Sequence, residues 1–448
     1  MGVGGQGNDQ SPGSAPNGRL LQVLGVGFGL AGSIGGTIGA GILRIPGLVA
    51  EQLPSQPWIL WIWVLGAFYA LLGAICVAEL AAAIPKAGGW YVYAEAAFGR
   101  RAGFLVGWSD WIAHCIGLAW VVTTLGDYLS PLVPMSSAWI AVGILGLFTL
   151  IQWPGVRSGG TSQEFLSLIK ALIFAALVVA CFALPLPNRV EAPASFIPPD
   201  LNLFVPVVLA LQAVITTYDG WACPIYFAEE FASPSRDIPR SLIGGVLAVA
   251  GLYLLINAAL LHVLPIPVLA ESSLPAATAA ERLVGPQGGA VITAVALVSL
   301  LGVTNTVAMA APRILFGLGR DGLMPAFTAE VNAGGTPVNA LLITSLCSTL
   351  LVVSGSFESL LGMGAFLYVG LPLCGFITLM VLRQRQPELD RPFRCWAYPL
   401  TPILVGTVSL AFLLAALWSD SVNSLWALAL VAAGGLASEA SQRLRAAA

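Results

Sequence analysis

Charge is the scarcest thing in this sequence: Asp, Glu, Lys and Arg make up 9% of 448 residues, where a soluble domain carries about 25%. A water-soluble fold is excluded. The formal net charge of -3 and the lack of a basic stripe argue against nucleic acid or another polyanion as partner. Only 2 histidines occur, placed singly as His114 and His262, so haem ligation by histidine pairs is out of reach. No Gly-x-Ser-x-Gly, His-Glu-x-x-His or acidic metal cluster is present either. A membrane enzyme is therefore disfavoured, and no cofactor or metal is expected. The 7 cysteines fall one at a time, mostly inside apolar stretches, without metal-ligand spacing. Six read as small core residues and Cys395, in a polar loop, as a reduced thiol. The N-terminal stretch "MGVGGQGNDQSPGSAPNGRL" lacks a basic start followed by an apolar run, so no cleavable signal peptide is expected.

What is abundant is apolar sequence: 57% of residues are hydrophobic, and the mean hydropathy is +0.87. The runs are long enough to cross a hydrocarbon core as helix, which takes about 20 residues, and they lack the alternation of barrel strands. The sequence therefore predicts an all-α integral membrane protein. Punctuation by Pro, Gly and charge gives about twelve transmembrane helices, near 20–50, 57–83, 102–129, 137–154, 163–184, 202–231, 241–263, 287–317, 338–355, 359–382, 398–418 and 422–438. Residues 1–19 and 441–448 read as tails and 20–382 as a core, with halves at 20–184 and 202–382; 398–440 reads as two additional C-terminal helices. If the spans alternate, Arg19, Lys86, Arg100, Arg101, Arg157, Arg236, Arg240, Arg313, Arg320, Arg383, Arg385, Arg391, Arg394, Arg443 and Arg445 share one side, leaving Arg44, Arg189 and Arg282 for the other. Both termini are then expected in the cytoplasm of a multi-pass cell (inner) membrane protein. Trp58, Trp61 and Trp63 cluster as an interfacial aromatic belt would.

One stretch contradicts the helix around it. In "GGTIGAGI", Gly35 to Ile42, half of the residues are glycine, and each interior helical glycine costs about 1 kcal/mol relative to alanine. Close packing through Gly32-x-x-x-Gly36 and Gly35-x-x-x-Gly39 is one account. The sixth span supplies another, because "TTYDGWACP", Thr216 to Pro224, interrupts it with Asp, Gly and Pro. At membrane depth Asp219 costs about 2.5–3.5 kcal/mol, so it should not face lipid. It reads as the N-cap of a restarted half-helix or as a buried partner, and Pro224 suits the first turn of that half-helix. Spans one and six open two successive groups of five, and an odd number reverses direction. A 5+5 inverted repeat with discontinuous helices 1 and 6 then places a binding site at the breaks. The half-helix from Gly41 turns N–H groups and a positive dipole end inward, and the one ending near Thr217 turns carbonyls inward. A zwitterion fits between them.

The stretches "GTIGAGILRIPG", "AELAAAIPKAGGWYVYAEAAFG", Tyr218 to Trp221 with Glu229, Glu230, Ser233 and Pro234, "GRDGLMP", "GTPVNALL" and "RPFRCWAYPLTPIL" follow one another between residues 20 and 440. In that order they resemble the amino acid-polyamine-organocation (APC) superfamily, and within it the L-type amino acid exchangers and their bacterial relatives. The resemblance implies a ten-helix inverted-repeat core with two extra helices, and amino acid transport by alternating access. It further implies that main chain at Thr37, Ala40, Gly41 and Ile42 takes the substrate carboxylate. Main chain at Thr216, Thr217, Tyr218 and Asp219, with Gly220 and Trp221 beside it, would take the amino group. Thr216 stands where many relatives carry an aromatic gate, and Ala40 where many carry serine. The loop "YLSPLVPMSSA" lacks the cysteine through which animal relatives bond a glycoprotein heavy chain, so no disulfide-linked heavy chain is expected.

Lys170, in "FLSLIKALIFAA", lies roughly 12 Å along the fifth span at about 1.5 Å per residue. It either snorkels to the interface or, on the family reading, donates to carbonyls freed around Ile34 and Gly35, where sodium-coupled relatives hold an ion. Transport would then be sodium-independent. Glu229 and Glu230 read as a coupling pair or as solvated partners of Arg236 and Arg240; Asp110 is equally open, and His114 and His262 read as structural. The main expectation is a neutral amino acid exchanger. The alternative is a proton-coupled symporter or exchanger of cationic amino acids or polyamines, with Asp219 as counter-charge.

Overall fold

The computed structural model describes residues 20–39, 41–185, 204–354 and 357–447, without the side chains of 357, 358 and 437–447. The expected tail at 1–19, Arg19, Arg189 and Ala40 lie outside the described residues. Every regular element among the described residues is a helix; the only extended pairing there is an isolated bridge between Leu24 and Phe231.

The first span is split into Val26–Thr37 and Gly41–Gln52, and the second to fifth are Gln56–Ala83, Arg100–Leu129, Ser137–Gln152 and Val156–Ala183. The sixth is split into Phe204–Thr217 and a 3-10 segment, Cys223–Glu230, followed by Pro234–Val263, Pro286–Arg320, Val338–Ser354 and Phe357–Arg385 as the seventh to tenth. Leu400–Ser419 and Ser421–Ala447 are the eleventh and twelfth. Among the described residues, 7 of these helices are each long and apolar enough to cross a membrane, and the first pair, bent by 47°, forms one more. The shorter apolar helices Ser137–Gln152, Phe204–Thr217, Val338–Ser354 and Ser421–Leu436 complete the twelve spans that hydropathy predicts. Short helices at Trp90–Phe98, Ile266–Glu271 and Pro275–Val284 fill connections that the apolar pattern leaves blank.

The seventh span starts before its apolar run. Pro234 occupies its first turn and Asp237 faces the positive dipole end there, so a polar turn is helical without entering the apolar layer. Spans separated by five pack on one another: first on sixth, second on seventh, third on eighth and fourth on ninth. That is the pairing an inverted two-fold produces. The eleventh and twelfth spans lean on the tenth and leave Trp418 and Trp426 exposed on the outside of the bundle.

Packing corrects three of the sequence expectations. Trp58 and Trp61 are exposed as a belt requires, but Trp63 is buried, edge-on to Tyr218 at 6.0 Å and to Tyr253 at 5.6 Å. Two residues along a helix is a rotation of about 200°, which turns Trp63 away from Trp61 and into the bundle. Cys395 is a free thiol but a buried one, with Sγ 3.7 Å from that of Cys76. Its amide donates to Glu79 at 2.6 Å, and the same carboxylate accepts from Arg383 and meets Arg391, so the loop before the eleventh span is tied to the second.

Glu229 and Glu230 do not pair with Arg236 and Arg240. Glu230 is fully buried and accepts from Arg313 Nε at 2.6 Å and Nη2 at 3.1 Å, while Glu229 accepts from Arg320. The cause is local: Cys223–Glu230 winds as a 3-10 helix with Phe227 out of helical conformation (φ -109, ψ 15). Its carboxylates therefore turn toward the eighth span, and the Arg313 guanidinium also lies 4.5 Å over the Phe227 ring.

Removing one partner of a buried ion pair leaves an uncompensated charge, at about 3–5 kcal/mol, whereas a part-exposed pair contributes about 1 kcal/mol or less. Thermal unfolding in detergent should show Glu230→Ala melting far below Glu229→Ala. Equal shifts for the two variants would contradict the buried pairing.

Candidate functional site

The first span stops because Ile38 is extended (φ -77, ψ 91), and it resumes at Gly41. The sixth stops at Thr217 and turns through residues 218–222, where Gly220 has φ +102, a conformation that glycine adopts freely. At this point the two interrupted chains touch. A Cβ on Gly220 would lie 2.5 Å from the carbonyl carbon and oxygen of Gly36 and 2.9 Å from Thr37 N. Across the gap, a Cβ on Gly41 would come within 3.3 Å of Thr217 Cγ2. The close-packing account therefore holds where backbone meets backbone at Gly36 and Gly220, while Gly41 lines the cavity.

Breaking a helix at membrane depth frees carbonyls that need donors. Lys170, completely buried, supplies one: Nζ donates to Gly35 O at 2.9 Å and to Ile38 O at 2.8 Å. Snorkelling is ruled out, and the expected partner Ile34 is replaced by Ile38. The reason is that Ile34 O keeps its helical bond to Ile38 N–H at 2.8 Å and is not released by the break. Gly302 of the eighth span makes room, because a Cβ there would stand 2.5 Å from Lys170 Cε.

Other donors were not singled out in the sequence. The Tyr253 hydroxyl lies 2.9 Å from Thr37 O and 3.3 Å from Thr217 O, serving both breaks from the seventh span. Ser33 Oγ donates to Trp221 O at 3.1 Å. Gln163 and Ser167 donate to Ala31 O, and Gln163 Oε1 accepts in turn from Asn305, whose own Oδ1 accepts from Gln152. The available signal was the presence of uncharged polar side chains in apolar spans, which at that depth need partners. On the third span, Asp110 and His114 form a buried pair, with Tyr226 Oη donating to Asp110 Oδ1 at 3.0 Å. His262 has no such role and sits against the Phe182 ring at 5.2 Å.

Both breaks face one cavity of about 250 Å³. Its wall brings together Thr37, Gly41, Thr216, Thr217, Tyr218, Asp219, Gly220 and Trp221 of the expected set. Ile42 is buried behind the wall, Lys170 stands behind the first break rather than in the cavity, and Ala40 lies outside the described residues. Asp219 is not an N-cap. The 3-10 segment starts after Ala222 with no side-chain cap, which leaves the Asp219 carboxylate on the cavity wall. The threonine hydroxyls bond back within their own helices, Thr37 to Ser33 O at 2.8 Å, Thr216 to Ala213 O at 2.9 Å and Thr217 to Ala213 O at 2.8 Å. The last carbonyls of the helix ending at Thr217 already accept hydrogen bonds, Val214 O and Ile215 O from Tyr218 N–H, Thr216 O from Asp219 N–H and Thr217 O from Tyr253, whereas the first-turn N–H groups from Gly41 have no helical partner. No cluster of His, Cys, Asp and Glu suited to a metal occurs among the described residues.

Residues 19–435 match the family model for amino acid permeases. The chain is 28% identical over 419 residues to the serine/threonine exchanger SteT of Bacillus subtilis (strain 168), covering 90% of this chain and 93% of that protein. It is 29% identical over 444 residues to the human large neutral amino acids transporter small subunit 2, covering 94% and 81%. With the mouse Asc-type amino acid transporter 1 it shares 30% identity over 397 residues, covering 85% and 72%. These matches run from the first span into the twelfth, over both breaks and the cavity between them, and they are to carriers, not enzymes. The chain belongs to the amino acid permease family, within the amino acid-polyamine-organocation superfamily, and is a multi-pass membrane protein that transports amino acids.

Proposed function

We propose that this protein is a sodium-independent exchanger of neutral amino acids that works by alternating access. The observation behind this reading is the cavity shared by the two breaks, with an open helix start at Gly41 on one side and a helix end at Thr217 on the other. A positive dipole end suits a carboxylate and a negative one an ammonium, so main chain recognises what all α-amino acids share. Residues 20–184 and 202–382 act as the inverted halves around that site, and 398–440 as added helices. Two relatives carry names that support the finer reading, one a serine/threonine exchanger and one a large neutral amino acids transporter. Sodium independence rests on Lys170, whose ammonium donates to Gly35 and Ile38 carbonyls as a bound cation would. No disulfide-linked heavy chain takes part on this reading, and the Arg distribution puts both termini in the cytoplasm of a cell membrane.

A cationic amino acid or polyamine carrier is the second reading, favoured by the Asp219 carboxylate on the cavity wall. Uptake into proteoliposomes separates the two. With an amino acid panel, and with or without counter-substrate inside, the first reading expects neutral amino acid uptake that needs internal substrate and is the same in sodium and choline media. Lys170→Ala leaves two buried carbonyls unpaired and should lower turnover at least about tenfold, from about 1–3 kcal/mol per unsatisfied group. Sodium stimulation of the wild type, or full activity of Lys170→Ala, contradicts this role. Asp219→Asn should keep neutral uptake, and selective loss of cationic substrates in that variant would favour the second reading.

Gly41→Val sets a branched side chain against Thr217 Cγ2, 3.3 Å from the nearest Cβ position. It should abolish substrate binding, measured by scintillation proximity or isothermal titration, while membrane insertion is retained. Unchanged affinity would remove main chain at Gly41 from the site. Orientation has its own check: in a cysteine-free background, Ser235→Cys and Glu271→Cys should label from opposite faces of the membrane.

A further inference from the structure

We propose that His114 is a specificity-determining residue which hydrogen-bonds a hydroxyl on the substrate's side chain, so that this carrier prefers short hydroxylated amino acids over apolar ones of the same shape. The inference rests on the amino acid carrier reading above and adds the class of side chain.

His114 is more than nine-tenths buried and lies on the cavity wall in the third span, on the same cavity as Asp219 of the sixth-span break. Its Nδ1 stands 2.8 Å from the main-chain oxygen of Asp110 and 3.1 Å from Asp110 Oδ1. Both neighbours are acceptors, so Nδ1 carries a hydrogen and the ring is fixed in place. Asp110 is itself held, fully buried, by the Tyr226 hydroxyl at 3.0 Å and by Trp90 N–H at 3.4 Å. The ring is packed between two aromatic neighbours, Tyr226 with centroids 4.8 Å apart and Tyr368 at 6.0 Å. Those two hydroxyls are committed elsewhere, Tyr226 to Asp110 and Tyr368 to Ala113 O at 3.0 Å.

That leaves Nε2, which has no hydrogen-bond partner among the described residues. Leaving a polar atom unpaired in a buried site costs about 1–3 kcal/mol, and a ligand group that satisfies it gains selectivity in proportion. A hydroxyl meets either protonation form of the ring, because it donates to a bare Nε2 and accepts from Nε2–H. An ammonium only donates, a carboxylate only accepts, and a methyl does neither. Val303 and Val307 of the eighth span also line the cavity and present apolar surface to a substrate side chain.

Threonine and valine have the same shape and differ by hydroxyl against methyl, so their ratio isolates this contact. Purified protein in liposomes preloaded with alanine is tested for uptake of each at low concentration. The wild type should favour threonine at least about tenfold, the value of one hydrogen bond in a dry site. His114→Phe should bring the ratio near one, and His114→Gln, which keeps a polar head, should restore part of it. A wild-type ratio near one, or a ratio unchanged in His114→Phe, overturns the inference while leaving the carrier reading intact. If His114→Phe fails to insert, the wild-type ratio and His114→Gln decide. Uptake of lysine or arginine in preference to threonine also overturns it, and absence of any amino acid exchange overturns the carrier reading and this inference together.

Discussion

A transmembrane helix cannot be interrupted without finding new partners for the main-chain groups it releases, and this requirement organises the molecule. Interruption of the first span frees carbonyls from Gly35 onward, and Lys170 is the cation that takes Gly35 O and Ile38 O. Around it the fifth span contributes Gln163 and Ser167, the seventh Tyr253, and the first lends Ser33 to the sixth. Each is a polar side chain that would be costly in an unbroken apolar bundle. Here each offsets a cost that the break creates.

The same rule governs charge. Glu230 is buried against Arg313, and Glu79 is buried against the part-buried Arg383 and Arg391. These clusters tie the sixth span to the eighth and the loop before the eleventh to the second. The cavity lies outside these clamps, between the two breaks, where among the described residues the only side-chain carboxylate on the wall is that of Asp219. His114, Tyr226 and Tyr368 line the same cavity as the two breaks. The contact of Gly36 with Gly220 holds the two breaks together, because a side chain at either position would separate them.

How far the sequence was legible depends on what kind of property was asked of it. Span number and the two interruptions are one-dimensional facts: hydropathy adds along the chain, and a glycine cluster or an Asp-Gly-Pro run breaks a helix wherever that helix sits. The resemblance carried the site further, to Gly41, Thr217 and Asp219, which do line one cavity. Rotation about the helix axis was not legible, and Trp63, two residues from an exposed Trp61, is buried for that reason. Nor were partners across the bundle. Glu230 reaches Arg313 over 83 residues of sequence, past Arg236 and Arg240, because a 3-10 segment turns it.

By itself, then, the sequence determined that this is an all-helical membrane protein of twelve spans with breaks in the first and sixth, since no other arrangement satisfies so much apolar surface and so few charges. Only the tertiary structure decided that Lys170 takes Ile38 rather than Ile34, that Tyr253 serves both breaks, and that His114 is held by Asp110 on the cavity wall. Hydrogen bonds between spans depend on distances of a few tenths of an ångström and on which face each helix turns inward. Those are set by the packing of all the helices at once, and no local pattern of residues contains them.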